Sequence, residues 1–178
     1  MDPIDMKRIA ISQEELNKRI CALGKQITED YAGKDLILVG VLKGALYFLC
    51  DLSRAIDLPL QIDLISVGVL NSTGQTGVVR ILKDLDYDIA GKHVLVIEDI
   101  IRSELTLGYL LQNLKTRGAS DIKICTLLYS PAEQLLNIPI EYVGFEISKE
   151  ERLIGYGLDV NEKGRNLPYI AKIKGKGA

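Results

Sequence analysis

The run from Val94 to Ile97 constrains this chain more than any other stretch, because four apolar residues follow one another with no polar position between them. A strand with one wet face alternates, so an unbroken run predicts a strand covered on both faces, as in a parallel sheet between helices. Glu98 and Asp99 follow directly, and Ser103 and Thr106 suit a helix start. The expected unit is a buried strand that delivers two adjacent carboxylates into a short loop, with a helix after it. Ligands of open α/β sheets bind at that end of the strands, where loops converge and the next helix offers unpaired N–H groups to an anion. Carboxylates there accept hydrogen bonds from a ribose diol and give hard oxygen ligands to a metal. A solvated acidic loop is the plain alternative.

Helical and strand patterns alternate along the rest of the chain, which predicts an α/β fold. Ser12 and Glu15 form a capping box that opens a helix with the apolar stripe Leu16, Ile20, Leu23, Ile27 and Tyr31, stopped by Gly33. A buried strand is expected over Leu36 to Val41, a helix over Ala45 to Ile56 and a second strand over Leu60 to Val69. Asn71 to Gly77 reads as a flexible stretch. A strand near Val78 to Leu82, the Val94 strand, a helix from about Glu104 to Thr116 ended by Gly118, and strands over Ile122 to Leu128 and Glu141 to Phe145 follow. Two last segments, Tyr156 to Val160 and Tyr169 to Ile173, are expected to fold back over the ligand end of the sheet. Lys43 and Gly44 sit directly after a strand, where an anion contact and an ordinary surface turn are both open readings.

With 178 residues, 47% of them hydrophobic, one domain over residues 1–178 is expected. A net charge of −2 removes the electrostatic case for nucleic acid. Residues 1–10 lack the apolar core of a signal peptide and no stretch approaches a membrane span, so no membrane partner and a cytoplasmic location are expected. Cys21, Cys50 and Cys125 are too far apart for zinc or redox spacings and read as reduced core thiols. His93, the one histidine, has no ligand-type neighbours that would give it a catalytic role. No Gly-rich dinucleotide fingerprint opens a helix and no P-loop occurs, which excludes two nucleotide-binding classes.

Glu98-Asp99-Ile100-Ile101, with Ser103 and Thr106, resembles the phosphoribosyltransferase signature, in the form found in the hypoxanthine-guanine enzymes. The likeness extends over Val39 to Ala45, Gly77 to Asp84, Val143 to Glu146, Gly155 to Asp159 and Arg165 to Pro168, in order. The resemblance implies the type I phosphoribosyltransferase fold, an open parallel twisted sheet flanked by helices with a small hood built from the chain's ends. It implies transfer of phosphoribosyl from phosphoribosyl diphosphate (PRPP) to hypoxanthine or guanine, giving IMP or GMP and diphosphate, with Mg2+ as cofactor. By the same likeness, Glu98, Asp99, Ser103, Glu104 and Thr106 stand at the ribose-phosphate positions, and Lys43, Gly44 and Arg165 at those for diphosphate. Ser130 and Arg152 stand at the purine positions, and Glu98, Asp99 and Asp159 at the metal. A homodimer or homotetramer is the family's usual assembly.

The chain departs from the family pattern in its ligand loops. Arg102 stands where the family's catalytic aspartate handles the purine proton, and an arginine cannot accept it, so about 10²- to 10⁴-fold of general-base help must come from elsewhere. Glu104 replaces a glycine that wraps the 5′-phosphate; it is expected either to substitute for that anion at the helix N-terminus or to turn to solvent. Gly68 to Asn71 replaces the Ser-Ser-Tyr-Gly of a closing lid, although Val69 and Leu70 also suit a strand extension. Ser130 replaces a purine-contacting lysine and Arg152 a stacking aromatic; each keeps some capacity to hydrogen-bond or stack. Two classes follow: a purine phosphoribosyltransferase of low or altered activity, or a non-catalytic regulator or subunit on the same fold, which Arg102 to Glu104 would favour.

Overall fold

The computed structural model describes residues 6–70, 78–101, 104–131, 139–148 and 152–173. The larger sheet has the strand order β4-β3-β2-β5-β6-β7, built from β2 (Leu36–Val41), β3 (Leu60–Leu70), β4 (Val78–Lys83), β5 (His93–Ile101), β6 (Asp121–Tyr129) and β7 (Tyr142–Glu146). All neighbours run parallel except β4, which pairs antiparallel with β3 at one edge. Helices α1 (Gln13–Asp30) and α2 (Leu46–Ala55) cover one face, and α3 (Glu104–Lys115) covers the other.

Period-two alternation in the central strands divides the core in two. Leu36, Leu38, Leu95, Ile97, Cys125 and Leu127 point to the α1–α2 face, where they meet Leu16, Ile20, Leu23, Phe48, Leu49 and Leu52. Ile37, Val39, Val94 and Val96 point to the α3 face and meet Leu110 and Leu114. Both faces of the Val94 to Ile97 run are therefore dry, and all four residues are fully buried. Burying such side chains stabilises by about 1.5–3 kcal/mol each before chain entropy is counted, so this strand anchors the sheet. Helix α1 starts as expected: Ser12 Oγ accepts from the Glu15 N–H at 3.2 Å, and Glu15 accepts from the Ser12 N–H at 2.8 Å.

A second sheet of three antiparallel strands, in the order β1-β9-β8, joins β1 (Met6–Ile11), β9 (Ile170–Ile173) and β8 (Leu153–Ile154). This is the small hood. Its first strand has no counterpart in the sequence reading: only Ile9 and Ile11 alternate there, and the pairing with β9 is broken by register shifts. Residues 156–160 follow β8 and form no strand of their own. Leu153–Ile154 is the strand, and the following residues turn sharply through bridges between Gly155 and Leu158 and between Val160 and Lys163, with Tyr156 at positive φ.

Two further expectations are corrected. Helix α1 buries Leu16, Ile20, Leu23 and Ile27, and Cys21 lies one residue beyond Ile20, off that stripe and exposed. Cys50 is likewise exposed beside buried Leu49, so Cys125 alone of the three is a core thiol. Strand β3 runs on through Val69 to Leu70, so those two residues extend the strand; residues 71–77 lie outside the described residues.

Candidate functional site

The chain leaves β2 for β3 on one side and β5 for β6 and β7 on the other, so the strand order reverses between β2 and β5. A crevice opens at such a reversal beyond the carboxyl ends of the two strands. The turn after β2 carries Lys43 and Gly44, and the end of β5 carries Glu98 and Asp99. Here the sequence reading is corrected: β5 continues to Ile101, so the two carboxylates stand on the strand itself and not in a loop. The apolar pair Ile100 and Ile101 keeps the backbone extended by pairing with Leu128 and Tyr129 of β6.

Gly44 is the hinge of the crevice. A Cβ on it would stand 1.8 Å from Asp99 Oδ2, and a Cβ on Gly157 would stand 1.9 Å from the Gly44 carbonyl oxygen. No side chain fits at either place, so the β2–α2 turn is clasped between the Asp99 carboxylate and the hood. The Leu42–Lys43 peptide bond in this turn is cis. Asp99 Oδ1 accepts the Ile100 N–H at 2.8 Å.

From the hood side, Arg165 Nη2 lies 2.8 Å from Asp159 Oδ1, and Nη1 donates to the Gly157 carbonyl at 2.7 Å. Asp99, Ile100, Arg152, Leu158, Asp159 and Val160 line a cleft of about 340 Å³ between β5 and the hood, a size that suits a small polar ligand. Lys43 reaches over from the β2 side to Glu162 at 2.9 Å. The structure thus brings together Lys43, Gly44, Asp99, Arg152, Asp159 and Arg165.

Burial holds the Glu98 carboxyl well above the usual range, and the adjacent Asp99 charge adds to it. Asp99 is raised as well, by burial, against the opposing pull of the Ile100 and its own backbone N–H groups and of the Arg165 charge. Two adjacent carboxyls raised in this way gain from a cation or a hydrogen-bonding diol beside them. Among the described residues no three His, Cys, Asp or Glu side chains are spaced to hold a metal by themselves. The hard oxygens of Asp99 and Asp159 face one cleft, so they fit a magnesium ion whose remaining ligands come from substrate oxygens and water.

The other expected positions divide. Thr106 lies half-buried in the first turn of α3. Ser130 follows the end of β6, 2% exposed, with its buried Oγ lacking a hydrogen-bond partner among the described residues. Arg102 and Ser103 lie outside the described residues; Glu104 opens α3, and the expectation for its side chain also lies outside them. His93 pairs with Asp121 at 2.7 Å at the opposite end of β5, consistent with no part in the site. Sequence reasoning missed Gly157 and Glu162. Gly157 lies inside the Gly155 to Asp159 segment of the likeness, whereas Glu162 falls between that segment and Arg165, where an acidic residue three before the arginine is the available signal.

The family model described as a phosphoribosyl transferase domain matches residues 12–161. A curated hypoxanthine-guanine phosphoribosyltransferase from Bacillus subtilis (strain 168) is 44% identical over 171 residues, covering 96% of this chain and 94% of its own. That of Mycobacterium tuberculosis (strain ATCC 25618 / H37Rv) is 44% identical over 178 residues, covering 96% and 88%. A crystal structure of a hypoxanthine-guanine phosphoribosyltransferase from Bacillus anthracis superposes with TM-score 0.89 at 42% identity, covering 97% of this chain and all of that one. The Trypanosoma cruzi hypoxanthine phosphoribosyltransferase in complex with its product IMP gives TM-score 0.86 at 33% identity, covering 98% and 97%.

Proposed function

Because the chain belongs to the phosphoribosyltransferase family and sits among its hypoxanthine-guanine members, we propose that it is a purine-salvage enzyme joining hypoxanthine or guanine to the ribosyl phosphate of PRPP. It is a pentosyltransferase, and the comparisons do not favour the non-catalytic regulator. The observation that carries the reading is the meeting of Lys43 and Gly44 with Asp99, Asp159 and Arg165 at the reversal of strand order.

In this reading Glu98 and Asp99 accept hydrogen bonds from the ribose diol. Lys43 and Arg165 take diphosphate oxygens, with the Gly44 backbone beside them. Thr106 and the N-terminus of α3 serve the 5′-phosphate, and by the likeness Ser103 and Glu104 belong to the same position. Magnesium, held by Asp99, Asp159 and the substrate, would neutralise charge on the leaving diphosphate. The purine lies toward Ser130, whose orphaned hydroxyl a base carbonyl or ring nitrogen would satisfy, and Arg152 stacks on its face. Glu98, Asp99, Asp159, Lys43 and Arg165 thereby supply ribose and diphosphate binding, while Arg102 leaves the purine proton to water or to another group.

A homo-oligomer acting in the cytoplasm completes the proposal; among the described residues no helix is long and apolar enough to cross a membrane. The test is formation of IMP or GMP by the purified protein from PRPP, magnesium and base. Equimolar diphosphate and nucleotide are expected. A folded protein that makes neither contradicts the reading.

A further inference from the structure

Resting on the assignment of Lys43 and Arg165 to diphosphate, we propose that Glu162 is a positioning residue: in the free protein it occupies the diphosphate's place between those cations and yields it when substrate binds. One oxygen, Glu162 Oε2, is 2.9 Å from Lys43 Nζ and 3.3 Å from Arg165 Nη2. A single anionic oxygen shared by a lysine on one wall and an arginine on the other is the contact a diphosphate oxygen would make.

The backbone aims the side chain there. Val160 and Lys163 exchange N–H to C=O hydrogen bonds of 3.0 and 3.2 Å, which leaves Asn161 and Glu162 as a two-residue turn with φ of +53° and +62°. That is the pattern of a type I′ turn, where a glutamate pays a conformational cost that glycine would not. The Glu162 N–H donates to Asp159 Oδ2 at 2.8 Å, while Arg165 holds Asp159 Oδ1. Asp159 therefore links the turn to the arginine through its two oxygens.

The contact is made to open. Lys43 and Glu162 side chains are 66% and 64% exposed, so separating them uncovers no apolar surface, and exposed pairs of this kind are weak and screened by salt. A diphosphate carries more negative charge than one carboxylate and displaces it. Lys43, and then Arg165, hold the Glu162 carboxyl below its usual range, which keeps the bridge charged at working pH. Glu162 thus holds two like charges ready without repulsion, opposes substrate binding slightly, and re-closes as the diphosphate product leaves.

The test titrates inorganic diphosphate with magnesium into the parent protein, Glu162→Gln and Lys43→Ala, with steady-state constants for PRPP measured beside it. Glu162→Gln is expected to bind diphosphate about two- to fivefold tighter, with KM for PRPP falling and kcat not rising, a split that a merely structural role does not give. Lys43→Ala is expected to bind diphosphate more weakly. Equal or weaker binding by Glu162→Gln, with Lys43→Ala weakened, overturns the role of Glu162 and leaves the diphosphate site standing. Unchanged binding by Lys43→Ala removes the site assignment and this inference with it.

Discussion

The Asp99 carboxylate lies directly against Gly44, so near that a methyl group on the glycine would stand 1.8 Å from Oδ2. This contact ties the first ligand turn to the end of the signature strand. Gly44→Ala must therefore push Asp99 aside or shift the turn. A loss of about 1–3 kcal/mol in denaturant unfolding is expected, with a fall of at least tenfold in kcat/KM for PRPP. Gly157→Ala meets the Gly44 carbonyl at 1.9 Å from a φ of +100°, and should behave alike. Wild-type stability and activity in both variants would remove the clasp.

Glu98→Gln separates binding from stability. Burial first, and the Asp99 charge second, raise the Glu98 carboxyl above its unfolded value of 4.5, so the folded protein binds more protons than the unfolded chain between those two values. Stability then falls as pH rises through that window and stays reduced above it. The glutamine variant should be more stable at pH 8, on the order of 1 kcal/mol, should lose the fall of stability with pH across the window, and should bind PRPP more weakly. Thermal melts across pH and a binding titration check all three.

Much of this was legible because the sheet is written in unbroken apolar runs. Val94 to Ile97 and Leu36 to Val41 are buried on both faces, and no antiparallel, half-wet strand would carry them. The place of Glu98 and Asp99 at the end of β5 follows from such a run, and the likeness to the family singles out Lys43, Gly44, Asp159 and Arg165, which the structure brings to the same crevice. What escaped lies where burial is partial or geometry is local. Strand β1 sits at an edge of the hood and alternates over only a few residues, and the end of β5 was misread because Glu98 and Asp99 look like loop residues. They remain in the strand because their backbone still pairs with β6, where Glu98 faces Thr126. Glu162 escaped because its meaning depends on a turn that no composition rule specifies.

Asp63, 3% exposed, accepts the Asp86 and Tyr87 N–H groups at 2.9 and 3.0 Å on Oδ2 and the Leu64 N–H at 2.7 Å on Oδ1. It fastens the turn that leads from β4 toward β5. Asp63→Ala removes the acceptor of these three part-buried hydrogen bonds, and about 1–3 kcal/mol of stability should be lost. Urea unfolding with an unchanged slope would measure it.

The cysteines give a chemical map. Cys21 and Cys50 are exposed, whereas Cys125 is fully buried and burial pushes its thiol up. Two thiols should react with a disulfide reagent in the native protein and the third only in denaturant. Three native reactive thiols would contradict the packing of β6.

The most direct test of the whole account combines calorimetry and product assay in one sample. PRPP with magnesium is titrated into the protein, then hypoxanthine or guanine is added and nucleotide is measured. Magnesium-dependent binding, weakened in Arg165→Lys, followed by formation of IMP or GMP is the expected result. Neither binding nor nucleotide, from protein shown to be folded, would contradict it.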